Sequence, residues 1–318
     1  MVPDTFASTG TAASVGTVHA ASAGTAAPVG TIRSASTGVV RAASPGDADG
    51  CGRIFYDAFA AIAARHNLPV EPDSPEFTRF LAGRMLEGDG FAGFAFERDG
   101  ALVGAAFVDE RGPIAGIGPV VVDPAAQDEG VGRALMEAAV ERSRGAAGIR
   151  LVQTAYHYRS LALYAKLGFV VREPLSVVAG RAAGATVVGA SVRPARLDDV
   201  EACDALCARV HGHARGGELR DAIAAGTAMV VSRGGPLSGY ATGVGYGWHA
   251  VGETNEDLCA LLSSAERLMG LGVLVPSRNA SLLRWCLEHG LRIVQQSTLM
   301  TTGLYSEPAG VWLPSIVY

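Results

Sequence analysis

A glycine-containing segment joins an apolar run to a run with helical periodicity in the first half of the chain. It reads VVVDPAAQDEGVGRAL, with the apolar run ending at Val122 and glycines at Gly130 and Gly132. The first N–H groups of a helix lack intrahelical partners and, with the positive end of the helix dipole, can bind a diphosphate. Glycine permits close approach of the anion, and Arg133 can add a positive charge. The segment predicts a phosphate-binding loop, while an ordinary strand-to-helix turn stays open as an alternative on spacing alone.

A second group with possible ligand chemistry is Cys203, Cys207 and His211, which recur at every fourth residue. One helix cannot bring residues two turns apart to a single ion, and cysteine is commonly a small buried apolar side chain. We therefore expect no metal site. The chain has five cysteines and no CxxC pair, which argues against a disulfide framework and favours reduced thiols in a cytoplasmic protein.

Sequence periodicity predicts the elements that position the glycine segment. Helices are expected from Cys51 to Arg65 and from Ser74 to Glu87, the second with Ser74 as its N-cap and Pro75 in its first turn. Three successive strands are expected next, and the Asp99–Gly100 turn joins the first two. The later expected elements are a helix over 131–144, a strand over 149–155 and a short helix over 160–167. This order is typical of an α/β layer protein.

The second half of the chain looks like a shortened duplicate of the first half. VRAASPGDADGC from Val40 realigns on VRPARLDDVEAC from Val192 at an offset of 152, and HYRSLALYAKLGF from His157 realigns on NASLLRWCLEHGL from Asn279 at an offset of 122. The second copy is thus shortened in its middle. The predicted division is a disordered low-complexity tail over 1–38, a first domain over 39–184 and a second domain over 185–318.

The order of two motifs carries a family resemblance. Gln127-x-x-Gly130-x-Gly132 follows a VDP strand end, and SLALYAKLGF follows about 30 residues later. This combination resembles the GNAT superfamily of N-acetyltransferases, specifically over 101–169 and as a degenerate copy over 191–318. The resemblance implies an α/β fold with two tandem GNAT-like domains, each a mixed, mostly antiparallel twisted sheet flanked by helices.

The resemblance also implies acetyl-CoA as cosubstrate and no metal. Its pantetheine arm would lie between two parallel strands, and its diphosphate would lie on the glycine loop. The residues implied in cofactor binding are Val120, Val121, Val122, Gln127, Asp128, Glu129, Gly130, Val131, Gly132, Arg133 and His157. Tyr164 would protonate the leaving thiolate after direct attack by an amine, without a covalent enzyme intermediate.

Two departures from the family pattern bear on the chemistry. His157 stands where the family usually has an asparagine that bonds the cofactor arm, and histidine can donate a similar bond. The strand IAGIGPVVV lacks the glutamate that often acts as general base. Asp109 and Glu110 could act through water, although acids at a strand end are often solvated turn residues. A partly neutral amine would need no strong base.

The second copy is expected to bind no CoA. Its helix start carries Glu253, Glu256 and Asp257, which would repel a diphosphate, and Cys286 replaces the tyrosine. The second copy would instead pack against the first and form one side of the amine-binding cleft, with Trp248, His249 and Glu253 as acceptor-site candidates.

Composition limits the possible partners. With 26 Lys+Arg against 31 Asp+Glu, the formal net charge of −5 disfavours nucleic-acid binding, and an apolar stretch of membrane-spanning length is absent. The sequence thus predicts a cytoplasmic acyltransferase that acetylates a primary amine of a small molecule. A protein or peptide N-acetyltransferase and a non-catalytic acyl-CoA-binding sensor remain alternatives, and a homodimer is compatible with the sequence.

Overall fold

Two sheets flanked by helices organise the computed structural model, which describes residues 32–33, 38–68, 70–182 and 185–316. The α/β class predicted from the sequence is confirmed. Most of the predicted tail over 1–38 and the proposed boundary near residue 184 lie outside the described residues. Within the tail, the described Ile32–Arg33 forms a short strand that pairs with Val39 and Val40.

The first half supplies strands and helices in nearly the predicted positions. They are β1 (Ile32–Arg33), β2 (Val39–Ala42), α1 (Ala48–His66), α2 (Pro75–Glu87), β3 (Phe91–Arg98), β4 (Ala101–Asp109), β5 (Ile114–Val122), α3 (Val131–Arg142), β6 (Gly148–Thr154), α4 (Tyr158–Lys166) and β7 (Val170–Ala179). Helix α3 ends two residues before the predicted end, where a 3-10 turn begins at Ser143. Strand β7 was not predicted.

The second half repeats the order from β2 onward, mostly with shorter elements, and adds a final strand. They are β8 (Ser191–Pro194), α5 (Val200–His211), α6 (Gly216–Ala224), β9 (Met229–Ser232), β10 (Leu237–Ala241), β11 (Ala250–Gly252), α7 (Asn255–Ser264), β12 (Val273–Pro276), α8 (Ala280–Glu288), β13 (Arg292–Gly303) and β14 (Val311–Leu313).

Local signals in the sequence explain where several elements begin and turn. The Ser74 side chain accepts a hydrogen bond from the Phe77 N–H, and Pro75 occupies the first turn of α2, where a missing N–H costs nothing. Asp99 and Gly100 both have positive φ, 50° and 76°, as a two-residue hairpin turn between β3 and β4 requires. These positions agree with the sequence predictions.

The two halves contain the same ion pair at the start of each unit. Arg41 bonds both carboxylate oxygens of Asp47, at 2.8 and 2.9 Å. Arg193 bonds Asp199 in the same way, with two distances of 2.7 Å. The two pairs are separated by the offset of 152 found in the sequence, and each ties a first strand to the start of the following helix.

The sheets do not follow the division of the chain into halves. The larger sheet has the strand order β1-β2-β3-β4-β5-β6-β13-β7-β12, and the smaller has the order β14-β11-β10-β9-β8. Strand β13 therefore lies between β6 and β7, with Leu299 opposite Val152 on one side and Glu173 on the other. Each half contributes two strands to the central set β6-β13-β7-β12, so the halves are interlocked by backbone hydrogen bonds.

The larger sheet has two differently covered faces. Helices α3 and α4 cover one face, here called the α3/α4 face, where Ile117, Leu135 and Leu151 belong to one core cluster. Helices α1 and α2 cover the β4–β5 part of the opposite face, the α1/α2 face, above Phe107 and Val121. The second half covers the rest of that face. Within the described ranges, no helix is long and apolar enough to cross a membrane.

The strand interleaving predicts that residues 39–184 do not fold alone. Without β13, strands β6 and β7 lose their shared partner and leave long backbone edges unpaired. We expect this fragment to aggregate or to lack a cooperative urea transition by circular dichroism, and co-expression with residues 185–318 to give a soluble complex. A chain from residue 38 to 318, as the control, retains both halves. Cooperative unfolding of the fragment at the full-length midpoint would contradict the prediction.

Candidate functional site

A gap between the parallel strands β5 and β6 forms the centre of the candidate site. These strands pair only at their beginnings, where Ile114–Gly116 lies beside Gly148–Arg150. Strand β5 then follows β4 with a register shift between Ala106 and Val108, and it diverges from β6. Residues 117–122 of β5 consequently have β4 on one side and no strand on the other.

The backbone groups that face this gap can be identified from one hydrogen bond. The Asp123 N–H donates to the Val103 carbonyl at 2.9 Å. Because hydrogen-bonding groups alternate along an antiparallel strand, Val121 faces β4 and the backbones of Val120 and Val122 face the gap. The Gln127 side chain donates to the Val122 carbonyl at 3.3 Å. The Val122 N–H and the peptide groups of Val120 remain directed into the gap.

The glycine loop leads from this edge to an uncapped helix start. Asp128 and Gly130 have left-handed backbones, with φ of 70° and 86°, and Gly130 is the N-cap of α3. The first intrahelical bond runs from the Ala134 N–H to the Gly130 carbonyl, so the N–H groups of residues 131–133 precede it. A Cβ on Gly132 would lie 3.6 Å from Val122 Cγ2, an ordinary contact. Glycine there leaves open space before the free N–H groups, as a bound diphosphate requires.

The charged side chains of the loop are largely compensated by neighbours. Asp128 forms an ion pair with Arg159, and Glu129 forms one with Arg98. These pairs draw the two carboxylates into contacts with guanidinium groups, which reduces their repulsion of an anion. Arg133 pairs along the helix with Glu137 at 3.3 Å and is half-exposed. The loop thus presents its backbone, rather than its acids, as the anion-binding group.

Tyr164 lies on α4 beside the open edge. Its ring packs in the same cluster as Val120 and Val122, and its centroid is 6.3 Å from that of Phe169. Burial raises the pKa of Tyr164 to about 12, so the side chain is a neutral phenol that keeps its proton at physiological pH. Such a group can donate a proton or a hydrogen bond into the gap.

His157 occupies the N-cap position of α4, at the carboxyl end of β6. Its Nδ1 lies 2.9 Å from the Ser160 hydroxyl oxygen. Burial, followed by the nearby positive charges of Arg65 and His66, lowers the pKa of His157, so the ring is neutral at pH 7. With Nδ1 engaged by Ser160, Nε2 is the ring nitrogen that can contact a ligand.

The two acids at the end of β4 are held by arginines. Asp109 lies opposite Gly116, at the closed end of the gap, and accepts bonds from Arg111 at 2.5 and 3.0 Å. Glu110 accepts a bidentate pair from Arg142 at 2.7 and 2.8 Å. Both carboxylates are engaged by guanidinium groups at the closed end of the gap, and the structure does not bring these predicted candidates together with Tyr164.

The acceptor-site candidates of the second half make contacts within that half. His249 is buried, with Nε2 2.9 Å from the Tyr240 hydroxyl and Nδ1 3.1 Å from Glu218. Glu253 pairs with Arg209 on the surface at 3.0 Å. Trp248 lines a small pocket of the second half. These residues were predicted because they precede the start of α7 in the sequence. In the structure they serve internal packing and ion pairing of the second half.

Sequence reasoning missed a polar group on the α1/α2 face of the gap. It comprises His66 at the end of α1, Glu71 before α2, Tyr156 after β6 and Tyr246 from the second half. These residues come from four separate segments of the chain. A local motif could not have found them, because their proximity depends on how the second half packs against the first.

The corresponding gap of the second half is filled by the chain itself. Strand β14 pairs with β11, placing Val311 opposite Gly252 and Leu313 opposite Ala250, and it also contacts β12. Only two residues join β11 to α7, whereas eight join β5 to α3. The Asp257 carboxylate accepts the Thr254 N–H at 2.9 Å and caps α7. In the described part of the second unit, β14 therefore covers the edge of β11, and the Asp257 carboxylate stands at the start of α7.

The cysteine stripe has a structural role. Cys203 and Cys207 are buried in the core between α5, α6 and the smaller sheet, and the five cysteines are free thiols. Across the part of the chain that the structure describes, no cluster of three or more metal-ligating side chains is present.

Comparison with known proteins supports the interpretation of this geometry. Residues 56–169 match the model of the Acetyltransferase (GNAT) family. A protein assigned as an acetyltransferase from Pyrococcus horikoshii has a similar structure, with a TM-score of 0.68 at 19% identity over 87% of this chain and 93% of its own. No curated protein matches the sequence.

Two further structures share the fold over most of this chain. A GCN5-related N-acetyltransferase from Sphaerobacter thermophilus gives a TM-score of 0.55 at 15% identity, over 85% of this chain and 97% of its own. A GCN5-related glucosamine N-acetyltransferase region of a fungal β-N-acetylglucosaminidase gives 0.58 at 12% identity, over 85% of this chain and 38% of its own. At these identities the similarity concerns the fold.

The site geometry predicts one acetyl-CoA site per chain that depends on Gly132. In calorimetric titration, Gly132→Asp should weaken acetyl-CoA binding at least about tenfold, because a carboxylate would stand before the free N–H groups. Gly145→Asp is the matched control, since a Cβ there meets nothing within 4 Å. Two sites per chain, or equal affinity in Gly132→Asp and wild type, would contradict the prediction.

Proposed function

We propose that this chain, which contains a GNAT acetyltransferase domain over residues 56–169, transfers an acetyl group from one bound acetyl-CoA to a primary amine of a small molecule. The observation that carries the proposal is the continuity of three features. The unpaired edge of β5 leads directly to the uncapped start of α3, and the Tyr164 phenol lies beside that edge. Together they match an elongated ligand with amides at one end and a diphosphate at the other.

Each part of the site has a defined role in binding. The backbones of Val120 and Val122 would pair with the pantetheine amides, as a further strand would. The free N–H groups of residues 131–133 would hold the diphosphate. His157 would offer Nε2 to the arm at the opposite side of the gap. When bound, acetyl-CoA supplies an acetyl group already activated as a thioester.

Tyr164 is suited to act as the acid of the reaction. The departing CoA sulfur needs a proton or a hydrogen bond, because burial destabilises a thiolate as it destabilises a phenolate. The apolar surroundings that raise the pKa of Tyr164 keep the phenol protonated, and they would raise the pKa of the departing thiol as well, so Tyr164 has its proton in place to pass to the sulfur as the C–S bond breaks. A backbone N–H near Val122 would stabilise the negative charge that develops on the carbonyl oxygen.

A small acceptor is favoured by the way the second half covers the α1/α2 face. The connection between α1 and α2 reaches the second half at Gly270, where a Cβ would lie 3.8 Å from the Glu71 carboxylate. This close approach would restrict the entrance that a peptide needs. We further infer a tandem arrangement in which the second half is a degenerate GNAT copy that binds no CoA, supported by β14 in its gap.

Replacement of Tyr164 tests the reaction directly. Tyr164→Phe should lower kcat about 10²-fold or more while leaving the acetyl-CoA Kd within about twofold, because the hydroxyl acts on the leaving group. Released CoA thiol would be measured with small primary amines and with peptides as acceptors. Tyr158→Phe is the control, since Tyr158 is exposed on the same helix. Tight acetyl-CoA binding without turnover on any amine would instead identify an acyl-CoA sensor.

A further inference from the structure

The gap between β5 and β6 opens on two faces of the sheet, and this decides where an acceptor can enter. The glycine loop, α3 and α4 occupy one face, together with Tyr164. Given the proposed function, that face belongs to acetyl-CoA. An amine must then reach the thioester from the α1/α2 face, where α1, the α1–α2 connection and the second half surround the gap.

The side chains at this entrance follow from the alternation along β6. Ile149 and Leu151 pack on the α3/α4 face, while Val152 packs toward the second half. Side chains alternate between the two faces along a strand, and Thr154 lies two residues beyond Val152. Its side chain therefore points to the same face as that of Val152. The Tyr156 side chain is hydrogen-bonded to Thr154. The end of β6 thus directs hydroxyl groups to the entrance.

The second half completes the entrance from the other side of β6. Ser297 on β13 lies directly opposite Thr154. The Tyr246 hydroxyl is hydrogen-bonded to Ser297 and accepts a bond from Gln295 Nε2 at 3.4 Å. The rings of His66 and Tyr156 contact each other, with centroids 4.6 Å apart. Aromatic rings and hydroxyls therefore surround the acceptor side of the gap.

Glu71 places a carboxylate among these groups. It interacts electrostatically with Tyr246, and its Oε1 approaches Gly270. Asp109 and Glu110 are bound by arginines, whereas no Arg, Lys or His of the described ranges forms an ion pair with Glu71. A half-buried carboxylate that has no protein cation among the described residues and lies beside the Tyr246 side chain is a suitable partner for a ligand cation.

The surroundings of Glu71 also make it more basic. Burial and the neighbouring charge of Asp73 raise the pKa of Glu71. The titratable groups that interact with Glu71 are Asp73 on the same connection and Tyr246 from the second half. Tyr156 in turn interacts with Tyr246, and the His66 ring contacts Tyr156. A carboxylate with a raised pKa accepts a proton more readily than an ordinary surface glutamate.

We propose that Glu71 binds the ammonium group of the acceptor and acts as the general base of acetyl transfer, with Tyr156 and Tyr246 bordering the bound amine. This inference rests on the proposed function and supplies the base that β5 lacks. It also defines the acceptor class: a small molecule whose primary amine is protonated when it arrives.

The proton balance of the step is complete without another reactant. The ammonium group gives one proton to Glu71, and the neutral nitrogen attacks the acetyl carbon. The C–N bond forms and the C–S bond breaks, while Tyr164 protonates the sulfur. The second nitrogen proton is lost as the amide forms and restores Tyr164 through water. Glu71 then releases its proton to solvent, so the net products are the amide, CoA thiol and one proton.

The test compares Glu71→Gln and Glu71→Asp with Glu87→Gln as the control. Glu87 is an exposed acid at the end of α2. Wild-type kcat/KM should rise with pH as Glu71 deprotonates, through a pKa above the ordinary glutamate value. Glu71→Gln should lower kcat/KM about 10²-fold near pH 7. The kcat/KM of this variant should rise again as the pH approaches the pKa of the amine, because the neutral amine needs no base. Glu71→Asp should keep the rise of kcat/KM with pH, with values between those of wild type and Glu71→Gln.

Acetyl-CoA calorimetry separates this inference from the proposed function. An unchanged acetyl-CoA Kd in every variant, with loss of rate confined to the Glu71 variants, would support the role of Glu71. Wild-type-like pH profiles in both Glu71 variants, on benzylamine and glucosamine as probe amines, would overturn it while leaving the acetyltransferase proposal intact. Absence of turnover by wild type on all amines would overturn the proposed function itself.

Discussion

The structure depends on one unpaired backbone edge. Strands β5 and β6 begin as parallel neighbours and separate after three residue pairs, which leaves the peptide groups of Val120 and Val122 facing a gap. Buried backbone N–H and C=O groups without partners are costly, so proteins usually pair them within the sheet. Here the edge continues into a helix start that also lacks partners. One extended ligand could form hydrogen bonds both with the edge of β5 and with the free N–H groups of α3, which would offset the cost of leaving them unpaired.

The remaining elements can be understood as the support of this edge. Strand β4 holds β5 from one side, and β13 holds β6 from the other. Because β13 comes from the second half, the width of the gap is fixed by contacts between residues more than a hundred positions apart. The second half is therefore a structural part of the first site, whatever its own capacity to bind a ligand.

The contrast between the two gaps shows how a similar arrangement can be opened or closed. In the second half, β14 pairs with the edge of β11, and the Asp257 carboxylate accepts the Thr254 N–H at the start of α7. In the first half, the Val122 N–H, the peptide groups of Val120 and the start of α3 face the gap, and the acids of the glycine loop are paired with Arg98 and Arg159. The two units differ in the length of the loop before the helix, in the presence of β14 and in the positions of the carboxylates at the helix start.

The sequence by itself determined the local structure, including the glycine loop at the candidate site. The Ser74 cap, the Asp99–Gly100 turn and the Gly130 helix start depend on neighbouring residues, so their positions could be read from short patterns. The α/β class and the family resemblance followed from the same local order.

Tertiary structure alone decided the rest. The insertion of β13, the filling of the second gap by β14 and the meeting of Glu71 with Tyr246 join segments far apart in the chain. Glu110 looked available in the sequence because its partner Arg142 is 32 residues away and is brought to it by the fold. Short sequence patterns reflect the conformational preferences of neighbouring residues. These long-range contacts depend instead on which surfaces are buried against each other, and the packing of the whole chain decides which surfaces those are.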